Sequence, residues 1–360
     1  MPKATFQHAR IAGIDVCPGP VVRRLEEDAA VWGADAAQVD KLRRAVGVET
    51  RWIAPPGVTT LDLCERSARR LLSGGGWAAE ALDGVICVTQ CPDHFQPCNA
   101  NILHGRLGLP KGAAAFDVNQ GCSGWVYGLY LGCLMVEAGG CERVLLVAGD
   151  TVTQSIHPGD RTVVPLFGDA GSATLIERTD AASPAWFSLC SDGRGWDAIT
   201  IPAGGYRRPR TTETSVATLA EDGSRRAADH LFANGIEVFN FTLREEPRAV
   251  QELLAYAGRT LGAVDHLVFH QANRIILQTL ALRLKVPMSK VPCRTLADYG
   301  NQSSASIPAT LCHDLGEGLR EAPRTVLCSG FGVGLSWASC LLTLGPLAHC
   351  DLETYPAAAG

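Results

Sequence analysis

The stretch AFDVNQGCSGWVYGLYLGCLMVEAGG, residues 115–140, joins two apolar runs of different kinds through a polar knot. The run ending at Val118 is short and strand-like, whereas the run from Trp125 has helical length. Between them stand Asn119, Gln120, Gly121, Cys122, Ser123 and Gly124. A chain needing only a turn could use Gly, Asn or Asp, which reach unusual backbone angles without a reactive group. A cysteine between the smallest residues at a strand-to-helix junction sits instead at a helix N-terminus, whose partial positive charge favours thiolate over thiol. Gly121 and Gly124 leave room for a reactant to approach.

Outside this junction the chain bounds the possibilities. Its 360 residues suffice for two domains or one large duplicated unit. With 46% apolar and 19% charged residues it has the composition of a globular enzyme. A net charge of −5 offers no basic surplus for a phosphate backbone, so nucleic acid is not an expected partner. Two stretches without Asp, Glu, Lys or Arg, after Asp117 and after Arg324, are long enough to raise a membrane span. The first holds Asn119, Gln120, Ser123 and four glycines; the second holds Ser329, Gly330, Gly332, Gly334, Ser336 and Pro346. Both read as buried core, and no membrane partner is expected. The N-terminus, MPKATFQHARIAGIDVCPGP, lacks the basic segment and apolar run of a secretion signal, which implies a cytoplasmic location. Fourteen cysteines scattered through apolar runs read as small buried hydrophobes of a reducing compartment. Cys87, Cys91, His94 and Cys98 cluster without the paired spacing of a zinc site, so no metal is expected.

Strand-like runs recur. The first half has LDGVICVTQ (82–90), AAAFDVNQ (113–120), ERVLLVAGD (142–150) and GSATLIER (171–178). The second has VDHLVFHQ (264–271), VPCRTLADYG (291–300), PRTVLCSG (323–330) and LSWASCLLTL (335–344). GVICVTQ answers to HLVFHQ, NQGCSGW to GNQSSAS, and FGDAGSATL to FGVGLSWASCLL. Amphipathic runs such as TLDLCERSARRLLSGG and ANRIILQTLALRLKV lie between them. The expected fold is α/β: two βαβ halves on mostly parallel sheets, with a nucleophile half over 1–180 and a half carrying His and Asn over 181–360. Sites in such sheets lie beyond the carboxyl ends of strands, where Cys122, His270 and Asn301 fall in this reading. Cys, His and Asn at one cleft suit thioester chemistry.

Taken in order, FDVNQGCSGW, FGDAGSATL, FHQANRII, YGNQSSASIPATL and SGFGVGLSW resemble β-ketoacyl-acyl carrier protein synthase III of the thiolase superfamily along nearly the whole chain. The resemblance implies a five-layered αβαβα thiolase fold, a homodimer and a Cys-His-Asn site. It makes Cys122 the acyl-accepting nucleophile and has His270 and Asn301 face a second thioester. An oxyanion hole is implied between the backbone N–H groups of Cys122 and Val333. Phe95 of HFQP is implied to reach a neighbouring subunit's pocket, with Gly332, Gly334 and Arg274 as further substrate-binding candidates. The implied substrates are acyl-coenzyme A or acyl carrier protein and a malonyl thioester of either carrier, with no bound cofactor.

Each residue also has a plainer reading. A cysteine in apolar surroundings is ordinarily inert packing, a lone histidine a hydrogen-bonded core residue, and Asn301 a helix cap. The polar Gly-Ser setting of Cys122, the QAN after His270 and the likeness of Asn301's surroundings to those of Cys122 favour catalysis. The chain also departs from the family pattern. Lys41 and Ala45 stand where a Trp and an Arg clamp adenine, and Ile275 stands where a basic residue grips the carrier, with Arg274 one position early. The segment 201–239 is long and carries Arg207, Arg208 and Arg210, read as a solvated loop or as a contact for a phosphate or an acidic carrier helix. These departures point to a specialised relative rather than a housekeeping acetyl-coenzyme A enzyme. Three activities remain open at this level: decarboxylative Claisen condensation, acyl transfer from Cys122 to an alcohol or amine, and a non-catalytic partner subunit. Peptide mapping after incubation with radiolabelled acyl thioesters is expected to find label on Cys122 alone among the fourteen cysteines; label on another cysteine removes the nucleophile assignment.

Overall fold

The computed structural model describes residues 2–357. The first half of the chain forms β1 (Lys3–Phe6), β2 (Ala9–Pro18), β3 (Val21–Arg24), α1 (Leu25–Val31), α2 (Ala36–Val46), β4 (Thr50–Ile53), α3 (Thr60–Gly75) and β5 (Gly84–Val88). It continues with α4 (Asn99–Leu107), β6 (Ala114–Val118), α5 (Gly124–Glu137), β7 (Arg143–Asp150) and β8 (Ala170–Arg178). The second half opens with β9 (Ala185–Ser191) and four two-residue strands, β10 (Ile199–Thr200), β11 (Thr218–Leu219), β12 (Arg225–Arg226) and β13 (Phe232–Ala233). It then forms α6 (Gly235–Ala257), β14 (His266–Phe269), α7 (Arg274–Leu284), α8 (Arg294–Tyr299), α9 (Ser306–Glu321), β15 (Arg324–Gly332), β16 (Ser336–Leu344) and β17 (His349–Leu352).

Two sheets carry the fold, in the orders β17-β2-β8-β7-β5-β6 and β1-β9-β16-β15-β14. The series β2, α3, β5, α4, α5, β7, β8 recurs as β9, α6, β14, α7, α9, β15, β16, so the chain is a structural duplication. The terminal strands cross over: β1 pairs with β9 and β17 with β2. Helices α5 and α9 lie between the sheets, α3 and α4 cover the outside of the first, and α6 covers the outside of the second with α7 beside it, giving five layers. Both faces of each sheet are therefore buried. Along β7, Val144 and Leu146 point into the central layer while Leu145 and Val147 pack beneath α3 and α4. That is why the strands read as unbroken apolar runs.

The central layer explains α5. A helix squeezed between two sheets has little solvent face, Leu134 being its exposed residue, and α5 is apolar nearly throughout. Gly124, Gly128 and Gly132 form an i, i+4 stripe against the first sheet, where an added Cβ would lie 2.4 Å from Val88 Cγ1, 2.5 Å from Leu146 Cδ1 and 2.3 Å from Ile176 Cδ1. Any side chain there would push the helix away from the sheet.

Two expectations are corrected. The sheets are mixed: β8 runs antiparallel to both β2 and β7, and β16 to both β9 and β15. The three residues between β15 and β16 can join only antiparallel neighbours, which sets the direction of β16. Residues 291–300 are no strand but lead into α8, because Asp314 on α9 accepts from Arg294 N–H (2.8 Å), Thr295 N–H (3.0 Å) and Thr295 Oγ1 (2.6 Å), capping the helix.

Glu246 on α6 is buried against the second sheet. Ser329 Oγ donates to its Oε2 at 2.6 Å, and its Oε1 has no partner. Burial pushes its carboxyl up to about 8. The unfolded chain ionises this group near 4.5, so its penalty on the fold grows as pH rises from there and is complete above about 8. Glu246→Gln, which keeps shape without a charge, is expected to raise stability by roughly 1–3 kcal/mol above neutral pH and by little below about pH 4.5. Denaturant melts at both ends of that range check the sign.

Candidate active site

Cys122 lies between the end of β6 and the first turn of α5, where the Gly124 N–H donates to the Gly121 carbonyl at 2.7 Å. The end of β15 closes on this turn. A Cβ on Gly330 would fall 2.5 Å from the Cys122 carbonyl oxygen, and one on Gly332 would fall 2.8 Å from Sγ, so only glycine permits the approach. The loop beyond is thereby brought over the sulfur, and the backbone N–H groups of Val333 and of Cys122 itself both act on Sγ. Ser123 Oγ lies 2.7 Å from Ser336 Oγ, and the Ser336 hydroxyl is 2.8 Å from the Val333 carbonyl, which ties the turn at Cys122 to that loop.

The thiolate expected at a helix N-terminus is not the resting form. Burial pushes the Cys122 thiol up to about 12, and the Asp150 carboxylate adds to the rise. The two N–H groups and the Ser303 hydroxyl oppose this without overcoming it. Desolvation in the central layer outweighs the partial charge of one helix end.

His270 follows β14 and is anchored by its N–H on the Ser329 carbonyl at 2.8 Å. Its ring Nδ1 is 2.7 Å from Ser306 Oγ on α9, and its ring meets Phe331 edge-on at 5.5 Å. Burial holds the imidazole down to about 3, so it is neutral at physiological pH; a hydrogen bond to the Ser303 backbone works weakly the other way. Asn301 stands between α8 and α9, a helix-to-helix junction rather than the strand end expected. Its backbone bridges to the segment at Phe167, donating to the Leu166 carbonyl (2.8 Å) and accepting from Gly168 N–H (3.0 Å). Its side-chain Oδ1 accepts from Ser303 N–H at 2.9 Å.

Ser303 is common to the surroundings of all three candidates: its hydroxyl works to lower the Cys122 thiol, its backbone to raise the His270 imidazole, and its N–H donates to Asn301 Oδ1. Ser303 has a φ of +48°, a left-handed angle uncommon outside glycine. Neither Ser303 nor Asp150 was singled out by sequence reasoning. The only signals were the serine run in GNQSSAS and an Asp closing an apolar strand.

A cavity of about 370 Å³ opens at Cys122. Val152, Phe167, Trp196, Ile199, Ile201 and Leu231 give it a largely apolar wall, and Gly334 and Ser303 border it near the sulfur. His270 and Asn301 do not line it. Phe95 is 78% exposed, and its ring stacks 6.0 Å from Tyr206, itself 90% exposed. Arg274 begins α7 with its guanidinium 3.5 Å from the Gly47 carbonyl at the end of α2. Arg207 and Arg208 are exposed, whereas Arg210 pairs with Asp229 at 2.7 Å. Among the described residues no group of three or more His, Cys, Asp or Glu is arranged to hold a metal ion, and no helix is long and apolar enough to cross a membrane.

Residues 116–193 match the family model 3-oxoacyl-[acyl-carrier-protein (ACP)] synthase III, and residues 254–344 match the C-terminal model of the same family. The chain is 35% identical over 297 residues to the β-ketoacyl-[acyl-carrier-protein] synthase III of Caldanaerobacter subterraneus subsp. tengcongensis, covering 82% of this chain and 86% of that protein. The crystal structure of a 3-oxoacyl-(acyl-carrier protein) synthase from Burkholderia xenovorans LB400 aligns with a TM-score of 0.92 at 36% identity, over 98% of this chain and 99% of that one. The priming β-ketosynthase of the R1128 polyketide pathway aligns with a TM-score of 0.78 at 26% identity, over 94% and 96% of the two chains. Identity of about a third over most of both sequences, on a backbone that superposes along nearly its whole length, makes this chain a member of the 3-oxoacyl-[acyl-carrier-protein] synthase III family, a thiolase-fold enzyme of the acyl-transferring ketosynthase type.

Proposed function

We propose that the protein joins two acyl thioesters by decarboxylative condensation. Cys122 accepts an acyl group from acyl-coenzyme A or an acyl carrier protein. A malonyl thioester, on either carrier, then loses CO₂, and the resulting enolate carbon attacks the acyl-cysteine and expels the Cys122 thiolate. The observation that carries this reading is the meeting at one sulfur of two backbone N–H donors and an apolar cavity of about 370 Å³. The N–H groups of Cys122 and Val333 suit the oxyanion of a tetrahedral intermediate, and the cavity suits an acyl chain. We assign His270 and Asn301 to the enolate oxygen. An imidazole held neutral donates a hydrogen bond without acting as a strong acid, and an amide N–H₂ does the same. No bound cofactor is needed for these steps.

The same reading includes a homodimer. Strand β6 is one of the two edges of its sheet, the other being β17. Its one charged residue, Asp117, is turned to α4, accepting from Asn99 N–H and Ala100 N–H at 2.8 Å each, so it does not guard the edge. Phe95 and Tyr206 add exposed aromatic surface. A second copy pairing along β6 would cover the strand and bring a second Phe95 within reach of the acyl cavity. Fourteen free thiols suit a cytoplasmic location.

In His270→Ala and Asn301→Ala, acylation of Cys122 is expected to persist while CO₂ release and product formation fall together by ~10²-fold or more. Release of no CO₂ by acylated wild-type enzyme given malonyl thioester, with transfer of the acyl group to a hydroxyl or amine, refutes condensation. Since the His270 imidazole stays neutral down to about 3, the condensation step should show no loss through its protonation as pH falls from 7 toward 5; a pH–rate profile of preacylated enzyme checks this. Sedimentation at micromolar concentration should find a dimer, and an active monomer refutes the role given to β6 and Phe95.

A further inference from the structure

We propose that Arg51 positions Asn301, acting through the backbone of Phe167, a role that rests on Asn301 holding the enolate oxygen. Arg51 stands in β4 and is buried. Its Nε donates to Asp28 Oδ2 on α1 at 3.1 Å, and its Nη2 donates to the same oxygen. Nη1 is left for another partner and donates to the Phe167 carbonyl at 2.9 Å. Asp28 Oδ1 also accepts from Arg23 Nη2 on β3 at 3.3 Å, so the carboxylate that aims the guanidinium is itself anchored.

Phe167 is where this arginine reaches the site. The Phe167 segment pairs with Asn301 alone, outside either sheet: Asn301 N–H donates to the Leu166 carbonyl (2.8 Å), and the Asn301 carbonyl accepts from Gly168 N–H (3.0 Å). Two hydrogen bonds without a ladder beside them fix a backbone poorly, and β4 with the residue before it supplies the brace. On one side Asp169 N–H donates to the Trp52 carbonyl at 2.7 Å; on the other Glu49 N–H donates to the Ala297 carbonyl at 2.9 Å and Thr50 Oγ1 to the Asp298 carbonyl at 2.6 Å. Gly300, at a φ of +78°, packs on the arginine stem, since a Cβ there would lie 3.3 Å from Arg51 Cγ and 3.1 Å from the Leu166 carbonyl oxygen. The Asn301 amide has its Oδ1 fixed by Ser303 N–H, so the direction of its NH₂ follows from where this backbone is held. Phe167 also borders the acyl cavity, and the pairing therefore sets Asn301 relative to the acylated sulfur.

Stability alone does not account for the arginine. A buried ion pair gains little over apolar packing, because dehydrating both ions offsets their attraction, and its best-attested use is to fix register. The planar guanidinium meets a carboxylate and a carbonyl together, which the compact ammonium of lysine does less well. Misplacing a group at the reacting atoms by about 1 Å can cost ~10²-fold in rate.

The test compares Arg51→Lys, Arg51→Met and the double variant Arg51→Met/Asp28→Leu, each with Asn301 intact and in Asn301→Ala. Arg51→Met strands a buried carboxylate and should lose stability, whereas the double variant removes both ions and should recover the fold in thermal melts. Acylation by radiolabelled acyl-coenzyme A, and CO₂ release when the acylated enzyme is given malonyl-coenzyme A, are measured per labelled Cys122. In the double variant kcat for CO₂ release should fall ~10–10²-fold with KM for malonyl-coenzyme A little changed, and acylation should fall by less than ~3-fold. Arg51→Lys should restore part of the loss. In Asn301→Ala the same substitutions should cost little more, because the group they misplace is gone. A merely structural arginine would change the melting temperature and the labelled fraction but not turnover per labelled site. Wild-type CO₂ release by the double variant, or losses that multiply with those of Asn301→Ala, overturns the positioning role. Undiminished CO₂ release by Asn301→Ala itself removes instead the enolate assignment on which the role rests.

Discussion

The close approach of β15 to the head of α5 is the constraint on which the site depends. Gly330 and Gly332 let one backbone lie against the other at distances no side chain would allow. The two elements are more than two hundred residues apart in sequence, so this contact forms only when the two sheets close on the central layer. The loop after β15 then lies over Sγ, with the Val333 N–H joining that of Cys122. The glycine stripe of α5 serves the same end from the other side, holding the helix down on the first sheet.

Burial has a chemical consequence. Cys122 rests as a thiol and His270 as a neutral imidazole, because a dry site disfavours every charge. Such a pair is not the preformed thiolate–imidazolium of a cysteine protease. It suits a reaction in which charge appears briefly, first on a thioester oxygen and then on an enolate, and is met by donors already in place. The buried Asp150 carboxyl, itself pushed up by burial, is held by four donors from the neighbouring strand ends and from the turn into α9.

Duplication explains where the functional groups come from and where the halves diverge. Helices α5 and α9 are counterparts in the central layer, and each has a candidate site residue just before it: Cys122 for α5 and Asn301 for α9. The first half keeps an edge strand, β6, ahead of its helix, whereas the second has α8 in that place, capped by Asp314. The strand leaves a sheet edge unpaired. The short helix lets the Asn301 backbone bridge back to Phe167 in the other half.

The strand-end positions of Cys122 and His270 were legible in the sequence because local pattern marks them: a reactive side chain at the end of an apolar strand, followed by small or polar residues and a helical run. The duplication was legible because both faces of each strand are buried, which leaves long apolar runs in a repeated order. Asn301 was found through its likeness to the Cys122 segment, although the strand expected before it is a helix; RTLADY becomes helical through a cap that α9 supplies. Strand direction within the sheets was equally hidden, since alternation of side chains does not encode it. What only tertiary structure decided is the electrostatic state of the site and the central position of Ser303 and Asp150. The helix N-terminus around Cys122 is a local feature and argues for thiolate. The desolvation that overrides it comes from two sheets closing over the residue, and no window of sequence contains both.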